Sequence, residues 1–126
     1  MTKKILVTAA ILGVIAIVLG AFGAHTLKSL ISVEAQKTFE TGVRYQMYHA
    51  LLLMFVGGTS FLTEKTKSII FYLVVFGVLF FSGSIYGLAT NNLFMFNFKT
   101  IGFITPIGGL LFVLAWAVFN CRFFNN

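Results

Sequence analysis

Residues 5–24 read ILVTAAILGVIAIVLGAFGA, twenty positions without a charged side chain. A helix of about 20 apolar residues crosses the ~30 Å hydrocarbon layer of a bilayer. Three more apolar stretches follow, at 45–62, 69–89 and 101–119. None of them can be a lipid-exposed strand in an open sheet, because unpaired backbone groups are not left in hydrocarbon. The sequence therefore predicts an all-α polytopic membrane protein of one domain: a four-transmembrane-helix bundle.

Composition agrees. Hydrophobic residues make up 59% of the 126 and charged residues 10%, against about 25% charged in soluble domains. The mean hydropathy is +0.98. A water-soluble core is excluded. The net charge of +6 comes from basic residues scattered singly at helix ends and in loops. No basic arm is present, so nucleic acid is not an expected partner. Attraction to anionic headgroups and control of topology account for such charges better. Membrane lipids are the expected partners. Cys121 is the only cysteine, which excludes an internal disulfide and any CxxC metal spacing.

Lys3 and Lys4 before an apolar run resemble the start of a signal peptide, and Ala21-Phe22-Gly23 offers small residues for cleavage. The run to Phe22 exceeds the usual h-region of about 7–15 residues. A retained first helix is the better reading.

The connection from His25 to Arg44 is the longest and most polar. Ser32 suits an N-cap with Glu34 in the first turn, and Glu40 and Arg44 stand at i and i+4. A short interfacial helix over 32–44, running on into the second span, is expected. Thr63–Ser68 is a tight basic turn. Thr90–Lys99 mixes asparagine with phenylalanine and suits the headgroup region. Four spans put both termini on one side with Lys3, Lys4, Lys65, Lys67 and Arg122, against Lys28, Lys37, Arg44 and Lys99 opposite. The positive-inside rule then favours cytoplasmic termini in a plasma membrane, by a margin of one.

Small residues sit at helical spacing: Ala16, Gly20 and Ala24 on the first span, Gly83 and Gly87 on the third, and Gly57, Gly58, Gly108 and Gly109 on the second and fourth. They predict close helix approach, with self-association through Gly83/Gly87 as the other use.

Polar residues are uneven. His25 ends the first span. Tyr45, Gln46, Tyr48 and His49 open the second. Ser82, Ser84 and Tyr86 lie late in the third, and Thr105 and Pro106 early in the fourth. All belong to the half away from the termini. An ionisable group within a span is a functional candidate by default, and His49 fits that description best. Tyr45, Gln46 and His49 share a helix face. Glu40 can meet His49 only if Gly42 allows a bend. His25, placed near the same membrane surface, is expected to approach His49. The candidate binding set is His25, Tyr45, Gln46, His49, Ser82, Ser84, Tyr86 and Thr105, converging on one polar cavity. A bonded, neutral His49 is the competing structural reading. A His25/His49 metal site lacks a further ligand, so no metal and no cofactor are expected. Thr105-Pro106 has two readings: an N-cap with Pro at the first helical position, or a kink in a longer helix.

The segments Gly20–His25, Tyr45–Leu51, Phe81–Tyr86 and Thr105–Gly109 resemble the domain-of-unknown-function family number 423 over nearly the whole chain. Its members are small four-span bacterial membrane proteins, similar to the transmembrane-protein-256 proteins of animals. The resemblance implies a multi-pass plasma-membrane protein and motif residues at His25, Gln46, His49, Ser82, Tyr86, Thr105 and Pro106. It implies no activity.

Three function classes follow. A lipid- or partner-binding scaffold or accessory subunit fits the few ionisable residues and the packing glycines. A small transporter or channel would use His49 and His25, since histidine titrates near neutral pH, but Glu34, Glu40 and Glu64 all fall in loops. An intramembrane enzyme acting on a lipid would need His49 as base, and no recognisable nucleophile motif accompanies it.

Overall fold

The computed structural model describes residues 1–93 and 102–124. The expected headgroup segment with Phe94, Phe96, Asn97, Phe98 and Lys99, and the start of the fourth apolar stretch at Ile101, lie outside the described residues. Four long helices account for most of the rest: α1 Thr2–His25, α2 Val33–Gly58, α3 Glu64–Ala89 and α4 Ile104–Phe124. Three of them, α1, α3 and α4, are long and apolar enough to cross a membrane. At 26 residues α2 is equally long, about 39 Å at 1.5 Å per residue. Its first half carries Glu34, Lys37, Glu40 and Arg44, all exposed.

Helix α2 is unbroken. The expected interfacial segment 32–44 and the apolar stretch from Tyr45 share one axis. Ser32 caps it, its Oγ accepting from the Ala35 N–H at 3.1 Å. Gly42 does not interrupt the helix. A Cβ there would lie 2.8 Å from the Tyr86 ring and 3.0 Å from Ile85, so its role is to admit α3. Glu40 and His49 stay on the turns their spacing dictates. Arg44 does not pair with Glu40; its Nη2 donates to Thr41 Oγ1 at 3.4 Å.

Successive helices run antiparallel. On α1 and α2, Gly23 lies against Phe39, Gly20 against Val43, and Leu6 against Gly57. On α2 and α3, Gly42 faces Tyr86 while the Lys67 Nζ donates to the Gly57 carbonyl at 3.5 Å. On α3 and α4, Gly77 faces Phe112 and Gly108 faces Phe81. Both termini therefore lie at one end of the bundle. One apolar core joins Ile5, Leu53, Val56, Ile70, Val74 and Phe112 at that end and middle. A smaller one gathers Leu27, Ile31, Phe39 and Ala89 at the other.

Two features of α3 and α4 position the polar residues. Val78–Ser82 forms a π turn within α3, which shifts the face presented by every residue after it. Helix α4 starts at Ile104, so Thr105 and Pro106 fall in its first turn. Of the two readings of Thr105-Pro106, the helix start is the one observed, shifted by one residue: Thr105 lies just inside the first turn rather than at the cap, and Pro106 does not sit within a longer helix. Proline is tolerated there because first-turn N–H groups lack intrahelical partners.

The packing glycines are only partly those the spacing suggested. A Cβ on Gly108 would lie 2.3 Å from the Phe81 backbone nitrogen, and one on Gly57 would lie 2.9 Å from Leu6. Gly42 and Gly77 make equally close approaches. Gly58 meets open space, and Gly109 sits at ordinary contact distance. Gly83 is exposed, and with Gly87 it lines a groove beside Leu19, Phe22 and Tyr86.

Candidate functional site

Gln46 and His49 lie on the inner face of α2 and are 2% and 3% exposed. A buried amide or imidazole needs partners for each polar atom. Gln46 finds them on two other helices. Its Nε2 donates to the Leu12 carbonyl on α1 at 2.8 Å, and its Oε1 accepts from the Tyr86 hydroxyl on α3 at 2.6 Å. One side chain thus ties three helices together. The Tyr86 ring packs at 5.0 Å on Phe39.

His49 is held from both sides. Its Nδ1 lies 2.6 Å from the Tyr45 carbonyl, and its Nε2 lies 3.1 Å from Trp116 Nε1 on α4. A carbonyl only accepts and an indole N–H only donates. These partners fix the neutral tautomer with the proton on Nδ1. The ring lies 3.6 Å, centroid to centroid, from Phe112 at an interplanar angle of 14°.

The serines complete the pattern. Ser82, fully buried, donates to the Gly42 carbonyl at 2.8 Å. Ser84 donates back to the carbonyls of its own helix at Phe80 and Phe81 and shares a short hydrogen bond with Thr105. The π turn is what makes this geometry available. Its extra residue shifts the register of the helix beyond it, so that Ser84 faces α4 at Thr105 while Ser82 faces α2 at Gly42.

Gln46, His49, Ser82, Ser84, Tyr86 and Thr105 are therefore brought into one zone of the bundle, as closed hydrogen-bond pairs rather than as the lining of one open cavity. Every buried side-chain nitrogen and oxygen among the described residues has a partner. Tyr45 is outside the pairs. It is 40% exposed and packs its ring at 5.0 Å on Phe81.

His25 is not in this zone. It is exposed at the last turn of α1. The register of α1 on α2 sets His49 no nearer to His25 than the level of Val14, about 17 Å along the axis. The expectation of a shared surface failed because α2 starts at Val33, which carries His49 sixteen residues into the helix. Among the described residues, no three His, Cys, Asp or Glu side chains gather at metal-binding distances.

Sequence reasoning missed Trp116 and Phe112. The signal for Trp116 was available: it is the only tryptophan, and an indole N–H away from water seeks an acceptor. A buried imidazole, with two nitrogens to satisfy, is one of few acceptors in so apolar a chain.

A family model described as "Protein of unknown function (DUF423)" matches residues 19–109. That stretch contains Gln46, His49, Ser82, Ser84, Tyr86 and Thr105; Leu12, Phe112 and Trp116 lie outside it. The chain is 39% identical to UPF0382 membrane protein SSP2132 of Staphylococcus saprophyticus, over 90% of this chain and 91% of that one. It is 37% identical to UPF0382 membrane protein YwdK of Bacillus subtilis, over 90% of each. It is 36% identical to UPF0382 inner membrane protein YgdD of Escherichia coli, over 93% of this chain and 86% of that one. No solved structure is significantly similar.

Proposed function

The chain belongs to the DUF423 family, and from that premise we propose an integral membrane protein that works by binding, as a scaffold or accessory subunit for a lipid or a membrane partner. One observation carries this reading: the buried polar side chains are spent on one another and on backbone carbonyls. A transport path needs polar groups facing water or a moving ion, and a catalytic site needs a base within reach of a substrate. His49, closed between the Tyr45 carbonyl and Trp116, offers neither. Its network instead fixes how four helices meet, which suits a rigid platform whose outer faces do the binding.

The proposal includes the placement. All four long helices cross the plasma membrane, α2 with its charged first half at the headgroup level, and both termini are cytoplasmic. The length of α2, its antiparallel register on α1 and the small basic excess on the terminal side support this. The Escherichia coli relative, named an inner membrane protein, fits the same location. The runner-up, a small transporter relaying protons through His25 and His49, has the separation of the two imidazoles against it.

Native mass spectrometry of the protein released from gentle detergent, with a lipid and metal inventory, tests the reading. A lipid or polypeptide retained at fixed stoichiometry supports it. A bare protein that catalyses solute flux in liposomes, with the flux lost in His49→Gln, would overturn it.

A further inference from the structure

A groove of about 300 Å³ runs between α1 and the first half of α2, lined by Gly20, Gly23, Phe39, Glu40, Val43 and Arg44. We propose that it binds a phospholipid whose headgroup carries a primary amine. This deepens the binding reading above and rests on it.

Three features of the groove point to that ligand. The first is its charge. Glu40 and Arg44 stand one turn apart on the same face, about 6 Å between their Cβ atoms. Both are exposed and they do not pair with each other. Arg44 spends only one long hydrogen bond, on Thr41. A guanidinium fork matches a phosphate in two-point geometry. A carboxylate beside it repels a purely anionic headgroup and accepts from an ammonium. A phosphate and a primary amine two carbons apart present that pair of charges in that order. A quaternary amine has no N–H to donate to Glu40.

The second is its floor. Gly20 and Gly23 contribute no side chain, so Val43 and Phe39 form the wall. A Cβ on Gly23 would lie 2.8 Å from the Phe39 ring, whereas one on Gly20 would reach only ordinary contact, 3.5 Å from Val43. Gly13 lies seven residues before Gly20, two turns back on nearly the same face, and a Cβ there would meet nothing within 4 Å. Beyond Gly20 the outer face of α1 is open and apolar, with Gly13 and exposed Ile17 and Val14, and offers an acyl chain a surface in the direction it takes.

The third is its level. The uncharged run of α1 ends at Ala24, and the charges of α2 begin to recede at Arg44. The groove sits where these two limits overlap. That is the boundary between hydrocarbon and headgroups, where basic side chains meet phosphates.

The test uses the full chain, delipidated in detergent and offered equimolar dioleoyl-phosphatidylethanolamine, -phosphatidylglycerol and -phosphatidylcholine, with retained lipid counted by native mass spectrometry. The ethanolamine lipid should be retained on the order of tenfold over either other, the worth of one charge-assisted hydrogen bond. Arg44→Gln should lose about that factor. Glu40→Gln should keep binding but lose the preference over phosphatidylglycerol. Both side chains are exposed, and circular dichroism checks that the variants stay folded. Lipid retained with the same preference by both variants overturns the site and leaves the binding reading standing. No lipid retained, with a polypeptide still co-purifying, also overturns the site alone. Neither lipid nor polypeptide retained overturns both. Displacement of the lipid by millimolar water-soluble phosphoethanolamine would overturn the acyl-chain part of the assignment.

Discussion

Trp116 Nε1 on α4 donates to His49 Nε2 on α2 across 3.1 Å. Because an indole can only donate, this single contact decides where the imidazole proton resides. It also adds a directional bond to an α2–α4 contact otherwise made by rings, His49 on Phe112 at 3.6 Å and Phe55 on Phe119 at 5.8 Å. Nitrogen NMR of histidine-labelled protein in micelles should show one imidazole, His49, as the neutral Nδ1–H tautomer at pH 7. Finding Nε2–H there would remove the Trp116 bond and the argument built on it.

Trp116→Phe keeps a ring in place and removes only the donor. His49 Nε2 is then a buried acceptor without a partner. In water-soluble proteins such an orphan costs about 1–3 kcal/mol. Within a bilayer, side-chain hydrogen bonds between helices average about 0.6 kcal/mol. A loss of about 1 kcal/mol in SDS-induced unfolding is expected. Trp116→Leu should cost more, because the edge contacts with His49 and Phe119 at 6.1 and 6.0 Å go as well.

Gln46 and Tyr86 should show coupling. Tyr86→Phe strands Gln46 Oε1, and Gln46→Leu strands the Tyr86 hydroxyl and one lone pair of the Leu12 carbonyl. With both changed, no buried polar atom of the pair is left over. The double variant should therefore be less destabilised than the sum of the singles, by about 0.6 to 1.7 kcal/mol. Strict additivity in the unfolding cycle would mean that the 2.6 Å contact carries no energy.

How much of this could be read from residues alone follows from what each residue advertises. The apolar stretches of α1, α3 and α4 are self-evident, since lipid permits few other forms. The charged half of α2 was legible as a helix running on into its apolar half, because Ser32 and Glu34 mark the start and no breaker follows; what Gly42 does was not, since admitting Tyr86 depends on how α3 packs. Gln46, His49, Ser82 and Tyr86 stood out as polar residues in apolar company. Their closure into pairs did not, because it depends on the π turn at Val78–Ser82 and on Trp116, and no periodicity encodes either. His25 misled because closeness to a span's end gave the wrong depth: α2 starts at Val33 and carries His49 sixteen residues along its axis, away from His25.

Glycines divide cleanly by what surrounds them, and their alanine variants should divide the same way. At Gly108 the added methyl would meet the Phe81 backbone at 2.3 Å, where no rotamer change can relieve it. Overpacking of this kind costs about 1–3 kcal/mol. At Gly13 the methyl would meet nothing within 4 Å. Removing a mid-helix glycine should then be neutral or stabilising by up to about 1 kcal/mol. Thermal denaturation of Gly108→Ala and Gly13→Ala in the same detergent should move in opposite directions. If Gly108→Ala were as stable as the parent, the close contact of α4 with the π turn would have to be wrong.

The lone cysteine gives the orientation without engineering. Cys121 is exposed in the last turn of α4, beside Arg122 and at the same end of the bundle as Lys4. If the termini are cytoplasmic, a membrane-impermeant maleimide should leave Cys121 unlabelled in intact cells and label it after permeabilisation. A cysteine placed at exposed Lys28 in a Cys121→Ser background should behave in the reverse way, because one crossing by α1 separates the two sites. Labelling of both positions from outside would place α1 along the membrane surface rather than across it. Labelling of Cys121 alone from outside would keep the bundle and invert it, making the excess of one basic residue on the terminal side too small to set the topology.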